Sequence, residues 1–455
     1  MTTPPILICG AGIAGISIAY HLAVRHGIED IILVDERPPL SLTSDKSTEC
    51  YRNWWPGPGN AMVSLMNRSI DLLEELAHTS RNAFHLNRRG YLYLTATQAR
   101  IPEMITAAEE TSRLGAGPLR IHRGVPDDPA YLPPEPQGFA NQPTGADLLL
   151  EPALIRCHFP YISENVVAAL HVRRAGWFSA QQLGAYLLEQ ARAHGVRLVQ
   201  ARLTGIDIQA GRVNAVHLDD ASRLEVRNFV NAAGPYLNNV SQMLGIDLPV
   251  YCELHYKVGF KDHLGAIPRE APLLIWTDPQ TLSWSPEEKL LLSSEDHSRW
   301  LLNELPPGVH TRPEGPADSP IILMLWEYNT KIVEPVWPPP LDLDYPEIAL
   351  RGLVTMIPAL RTYIGKAPRP ALDGGYYTRT RENRPLIGPL PVEGAYVIGA
   401  LSGFGLMASL AAGELLAAHL TGSALPPYAP AFSLTRYADP TYQQLFANWG
   451  SSGQL

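Results

Sequence analysis

A chain of 455 residues exceeds what one ordinary hydrophobic core organises, so two or more domains are expected. With 45% hydrophobic and 18% charged residues it reads as a soluble globular protein, and a net charge of −9 excludes a basic face for nucleic acid. Four scattered cysteines (Cys9, Cys50, Cys157, Cys252) without a C-x-x-C pair are neither a disulfide framework nor a zinc site; they read as reduced thiols of a cytoplasmic protein.

The first predicted unit runs from Pro5 to Arg37. An apolar strand, Ile6-Leu7-Ile8, ends at Gly10, and Gly10, Gly12 and Gly15 fit G-x-G-x-x-G. A helix follows, with Ile13, Ile16, Tyr20 and Ala23 on one stripe, and then a second strand, Ile31-Ile32-Leu33-Val34, closing on Asp35 and Glu36. Gly10 permits a tight turn, Gly12 admits a pyrophosphate close to the backbone, and Gly15 lets helix and strand pack. The pyrophosphate then meets Ile13 and Ala14 at the positive helix tip. Asp35 stands where a carboxylate accepts ribose hydroxyls, which favours FAD or NAD over NADP. The apolar start is expected to be this strand and not a signal peptide, since no basic segment precedes it.

Pro38-Pro39 stops regular structure. The polar segment 43–48, with Lys46, Ser47 and Thr48, either closes over phosphate and ribose or is a capping surface loop. Arg52 beside Trp54 and Trp55 is either a clamp for a substrate anion or a stacked surface pair. Helices are predicted at 62–77, 101–114, 149–159 and 180–194, and strands at 90–94 and 168–174. Residues 117–143, rich in Pro and Gly, read as a surface loop. Three short strands at 196–201, 204–209 and 213–218 form a hairpin-like array. The apolar strand 228–231 then runs into Ala233 and Gly234, a turn of the kind that faces a cofactor.

From 248 to 363 strands alternate with Pro-rich loops, with candidates at 256–260, 290–293 and 321–326. This texture suggests a mixed or antiparallel sheet and a second domain. Its histidines (His255, His263, His297, His310) lack metal-ligand spacing and read as ordinary histidines. Farther on, the strand 395–400 meets Ser402-Gly403-Phe404-Gly405-Leu406-Met407 and a helix to His419: a second strand, glycine turn and helix, whose tip suits an electron-rich ring. Residues 396–420 are apolar enough to suggest a membrane span. The interrupting glycines, Glu414 and His419 favour a buried helix instead, so no transmembrane segment is expected.

These motifs, with Gly176-Trp177-Phe178, Asn231-Ala232-Ala233-Gly234 and Arg384-Pro385-Leu386-Ile387-Gly388-Pro389, resemble the FAD-dependent oxidoreductases of the D-amino-acid oxidase superfamily. The likeness is strongest to monomeric sarcosine oxidase, glycine oxidase and the dimethylglycine dehydrogenase flavin domain. The resemblance implies an α/β fold: a Rossmann-like FAD domain of the glutathione-reductase type (1–83, 176–246 and 366–455) and a mixed-sheet substrate domain (84–175 and 247–365). It places Leu203 at adenine, Ala233 and Gly234 beside the flavin or pyrophosphate, and Gly403, Phe404, Gly405, Leu406 and Met407 at the pyrimidine edge, with Phe404 and Met407 giving an apolar pocket floor. Arg52 matches a carboxylate-binding arginine, Tyr377 an active-site tyrosine, and His255 falls near a family arginine; for the last two, sheet packing is the alternative.

The departures carry expectations too. Gly375 replaces the cysteine that links flavin in sarcosine oxidases, so FAD is expected to be non-covalent, with Cys50 the alternative thiol. Leu291, on the predicted strand 290–293, matches the lysine that assists oxygen, with Lys289 nearby. A dehydrogenase passing electrons to a protein or quinone is therefore at least as well supported as an oxidase. The implied reaction is hydride transfer from an amine or (N-methyl) amino acid to flavin N5, with hydrolysis of the imine. The rivals are a 2-hydroxy-acid dehydrogenase on the same fold and a non-catalytic flavoprotein subunit or assembly factor. An appended folate-binding module is not expected.

Overall fold

The computed structural model describes residues 4–447. Its first sheet grows from the N-terminal glycine unit. Ile6–Cys9 lies parallel between Ile31–Asp35 and Asn228–Asn231. Arg197–Gln200 extends one side, and Ala395–Gly399 with the antiparallel edge Leu386–Pro389 extends the other. The strands are apolar throughout because both faces are covered: Ile6 and Ile8 face one core, Leu7 and Cys9 another. A three-stranded sheet (Leu203–Gln209, Arg212–Leu218, Arg223–Glu225) supplies side chains to the second core.

Helices Ile13–Tyr20, Ala61–Thr79 and Gly405–Thr421 cover the first core. The last is long and apolar enough to cross a membrane, yet it is buried in this core. Ser17 Oγ donates to the Ser409 carbonyl at 2.8 Å. A Cβ on Gly413 would lie 2.3 Å from Ser17 Oγ, so only glycine allows this approach. Arg68 clasps Glu414 from the neighbouring helix, with Nε 2.7 Å from Oε2.

The second sheet has ten strands. Tyr251–Lys261 pairs with Ala371–Arg379 on one side and with Ile332–Val333 and Ile321–Leu325 on the other. The order continues through His310–Pro313, Leu273–Trp276, Tyr91–Thr95, Ala168–Val172 and Ala146–Leu149 to Leu119–His122. Alternation along each strand gives the sheet two characters. Leu92, Leu94, Leu274, Trp276, Met324 and Val258 bury against helix Tyr345–Met356. Tyr91, Tyr93, Leu273 and Ile275 face the other way, into the core shared with the first sheet.

Several elements depart from the sequence expectation. Residues 290–293 are not a strand: Pro286–Ser294 is a helix, because Ser285 and Glu288 form a reciprocal capping box and Pro286 opens its first turn. Arg197–Gln200 leaves the hairpin array and joins the first sheet, parallel to Ile31–Asp35. The Pro-rich loop contains the strand Leu119–His122, and 149–159 divides into Ala146–Leu149 and the helix Pro152–His158. Residues 371–379, placed by sequence with the nucleotide domain, form the long partner of Tyr251–Lys261 in the second sheet.

Candidate active site

The two glycine turns, nearly 400 residues apart in sequence, open into one cleft. Its first half is lined by Gly10, Gly12, Asp35, Glu36, Leu203, Ala233 and Gly234, among others. The second half is lined by Gly12, Ile13, Ala14, Ser47, Tyr377, Gly403, Gly405 and Leu406. Gly12, Thr43, Ser44, Ala232, Gly234 and Pro235 line both halves, so the cleft is continuous.

Each turn is built by local necessity. Gly10 has φ +112°, and a Cβ there would lie 2.3 Å from the Ala232 carbonyl oxygen; at Gly15 it would lie 1.8 Å from the Gly10 oxygen. Asp35 Oδ2 accepts from the Ala11 amide at 2.7 Å and Oδ1 from the Arg37 amide at 2.9 Å, locking turn to strand end. Burial raises the Asp35 pKa, and those two amides only partly offset it. Ser44, which no motif marked individually, caps the helix tip by accepting from the Ile13 amide at 3.0 Å. At the second turn, Ala400 and Ser402 are held at φ +52° and +48°. Such strained positive φ values in non-glycine residues cluster at functional sites.

Above the second half stands the ten-stranded sheet. His255 stacks on Tyr377 with ring centroids 4.1 Å apart, and both are buried. His255 Nε2 lies 3.1 Å from Glu253 Oε2. Arg379 joins Glu253 at 3.2 Å to Glu327 at 3.0 Å. Burial works against the Glu327 charge, but His255, Arg379 and His310 outweigh it and hold the carboxyl below its ordinary range. Burial pushes the Tyr377 hydroxyl far above its usual value and holds His310 below that of a free imidazole. The sequence offered no sign of Glu327 or His310 as site residues, since only strand register brings them to Tyr377.

Arg52 comes from the short strand Cys50–Arg52, paired with Ala175–Trp177. Its guanidinium is buried, lies 4.6 Å from the Trp55 ring and 5.5 Å from the Tyr91 ring, and has no carboxylate partner among the described residues. It opens on a side chamber lined by Trp54, Tyr93, Thr95, Met104, Leu170 and Thr277. Trp55 in turn packs edge-on against Phe404 of the second glycine turn, at 5.2 Å.

Five expected site residues are displaced. Lys46 is drawn out of the cleft by Asp373, 2.7 Å from its Nζ, and by Asp45 at 3.1 Å. Thr48 turns its carbonyl to Arg312 Nε at 2.5 Å and to the Cys50 thiol at 3.2 Å, and lines neither half of the cleft. Phe404 and Met407 point into the first core and do not floor the cleft, because helix Gly405–Thr421 turns its apolar side there. Leu291, on the capped helix, is 60% exposed and takes no part in the site. Burial pushes the Cys50 thiol up to about 11.

Comparison with known proteins agrees with this arrangement. The family model described as FAD dependent oxidoreductase (DAO) matches residues 5–419. The chain belongs to the DAO family of FAD-dependent oxidoreductases. It is 23% identical to mitochondrial dimethylglycine dehydrogenase of Mus musculus over 425 residues, 90% of this chain and 41% of that protein. It therefore spans less than half the length of the curated relatives it matches. Among solved structures, L-proline dehydrogenase from P. horikoshii superposes with a TM-score of 0.73 at 18% identity, covering 96% of this chain and 98% of that one. Glycine oxidase from Geobacillus kaustophilus does so with 0.72 at 16% identity, covering 96% and 99%.

The cleft fits the cofactor of the DAO family. Its backbone is open where a dinucleotide must approach: a Cβ on Gly12 would meet only Ser44 Oγ, at 3.4 Å, and one on Gly234 would meet nothing within 4 Å. One helix tip lies mid-cleft and another at the far end, placed to receive a pyrophosphate and an electron-rich ring.

Proposed function

We propose that this DAO-family protein oxidises an amine or (N-methyl) amino acid carrying a carboxylate, with non-covalent FAD as the electron acceptor. One observation carries the reading: a buried guanidinium, Arg52, which donates to the Trp54 carbonyl but has no carboxylate partner among the described residues, sits at a chamber walled by the same ten-stranded sheet that roofs the FAD cleft. A buried cation without a counter-ion is costly, and a substrate anion repays that cost. The names of the relatives, a dimethylglycine dehydrogenase, a proline dehydrogenase and a glycine oxidase, point to the same class of substrate.

Residues lining the cleft would hold FAD as follows. Gly12, Ile13 and Ala14 take the pyrophosphate, Asp35 and Glu36 the ribose, Leu203 the adenine, and Gly403, Gly405 and Leu406 the pyrimidine edge. When bound, FAD accepts hydride from the substrate α-carbon. Arg52 fixes the substrate carboxylate, Tyr377 with His255 sets the height of the roof, and Trp54, Tyr93, Met104 and Leu170 give the chamber apolar surface for the rest of the substrate. Gly375 packs against Lys46 and Thr43. Together with the buried, high-pKa Cys50 thiol this supports non-covalent attachment, so acid precipitation should release all flavin to the supernatant.

A dehydrogenase serving a protein or quinone acceptor fits at least as well as an oxidase. Lys257, on the cleft-facing side of its strand, is already held by the Asp45 carbonyl and by Glu49. The free thiols accord with a cytoplasmic location. The deciding experiment is anaerobic mixing with N-methylglycine, proline and 2-hydroxy acids. Amines should bleach the flavin; bleaching by hydroxy acids alone would establish the rival dehydrogenase. A flavin inert to all of them, in a protein that co-purifies with a partner, would mark a non-catalytic subunit.

A further inference from the structure

Around Tyr377, on the cleft-facing side of the ten-stranded sheet, carboxylates outnumber the guanidinium they share. Strand register defines that side. Val258 and Met324, paired across two strands, face the helix-covered core, so His255 and Glu253 face the other way with Leu323 and Leu325. His310 pairs with Leu325 and shares its face. Trp326 returns to the helix-covered core, and Glu327 comes back to the cleft side, where Arg379 and His255 meet it.

Two carboxylates, Glu253 and Glu327, therefore share one guanidinium, Arg379. One negative charge is left for an imidazolium or an incoming cation. The two carboxylates are not equivalent. Glu253 Oε2 is in contact with both Arg379 and His255. Glu327 Oε2 is bonded to Arg379, but Oε1 lies 3.9 Å from His255 Nδ1, beyond hydrogen-bond length. Its side chain keeps 19% exposure where its neighbours His255 and Glu253 keep 4% and 6%. Glu327 thus keeps one carboxylate oxygen without a hydrogen-bond partner among the described residues. His310, which shares the face of Leu325, is close enough for both Glu327 and Arg52 to act on its charge.

We propose that Glu327 is the anchor for the substrate's ammonium group, so that Glu327 and Arg52 together select a zwitterionic amino acid. The assignment rests on the amine reading above and sharpens it. A 2-hydroxy acid offers the carboxylate that Arg52 needs but no cation for Glu327. Glu327 is thereby the residue that makes this site prefer amino acids over their hydroxy and ether analogues. His255 and Arg379 act as positioning residues that hold the carboxylate ionised and aimed.

The test compares FAD-loaded wild-type protein with Glu327→Gln and Glu327→Asp. Dissociation constants for N-methylglycine and proline come from the concentration dependence of anaerobic flavin reduction. That for methoxyacetate, in which an ether oxygen replaces the nitrogen, comes from perturbation of the flavin absorbance. Glu327→Gln should weaken the amino acids 30-fold or more and methoxyacetate less than threefold, and Glu327→Asp should recover most of the loss. Equal weakening of both ligand types would reduce Glu327 to a structural part of the roof and overturn the assignment. So would amino-acid binding unchanged in Glu327→Gln. If wild-type flavin is bleached by hydroxy acids and not by amines, the amine reading itself fails, and this assignment fails with it.

Discussion

The six-stranded sheet presents backbone to the ligand cleft, whereas the ten-stranded sheet presents side chains. In the first, recognition falls to glycine turns and helix tips, and the strands behind them are apolar on both faces. In the second, one face is hydrophobic core and the other carries Tyr377, His255, Glu253, Glu327 and His310. A backbone site for a cofactor tolerates little change, because any Cβ enters the ligand's space. A side-chain site for substrate is set by which residues alternate onto the cleft side, and one substitution redirects it without disturbing the fold.

The contrast breaks most severely at Gly15. Gly15→Val should abolish flavin binding and cost on the order of 4 kcal/mol or more, because the new Cβ meets the Gly10 carbonyl at 1.8 Å. Flavin content and thermal unfolding would show both losses. Gly12→Ala sharpens the point: its Cβ meets only Ser44 Oγ, so the apo-protein should keep its Tm while flavin affinity falls about tenfold or more, a loss of ~1.4 kcal/mol.

On the side-chain half, Arg52→Ala should lower kcat/KM on the order of a hundredfold, since bonds to charged groups contribute about 1.5–3 kcal/mol each. Flavin content should be unchanged. Equal loss for substrates with and without a carboxylate would show that Arg52 only packs between Trp55 and Tyr91.

Both halves bury a neutral histidine, and acid should expose this. Burial lowers the His21 pKa from 6.5 to about 4 and the His171 pKa from 6.5 to about 3. The unfolded chain then binds more protons than the folded one below pH 6.5. Their contribution to stability is complete above that pH and is lost as pH falls toward 4, at about 1.4 kcal/mol per pH unit for each group. Tm measured from pH 7 to 5 should fall, and His21→Leu should flatten part of the slope, since His21 Nε2 has no partner among the described residues. The smallest effect belongs to Ser285→Ala. Losing the capping box should cost about 1 kcal/mol locally and leave turnover and oxygen use unchanged, because that helix lies outside the site.

What the linear order of residues determined is the backbone half. Gly10, Gly12, Gly15, Asp35 and the turn at Gly403 and Gly405 are local patterns, and local patterns survive in sequence because turn geometry and helix start depend on near neighbours. Arg52 was legible as a chemical type beside indoles; its burial and lack of an ion partner were not. Lys46, Phe404 and Met407 belong to the right loops, but their direction is settled by Asp373 and by the helix-packed core, contacts that are distant in sequence. Leu291 lies off the expected strand because Ser285-Pro286-Glu287-Glu288 starts a helix, a local signal stronger than the apolar run that follows it. Glu327 carries no sequence signal, and His310 reads in sequence as an ordinary histidine. Only tertiary structure decided them, because the pairing of strands far apart in the chain chooses which side chains share a face, and a charge acquires meaning only from the charges it meets there.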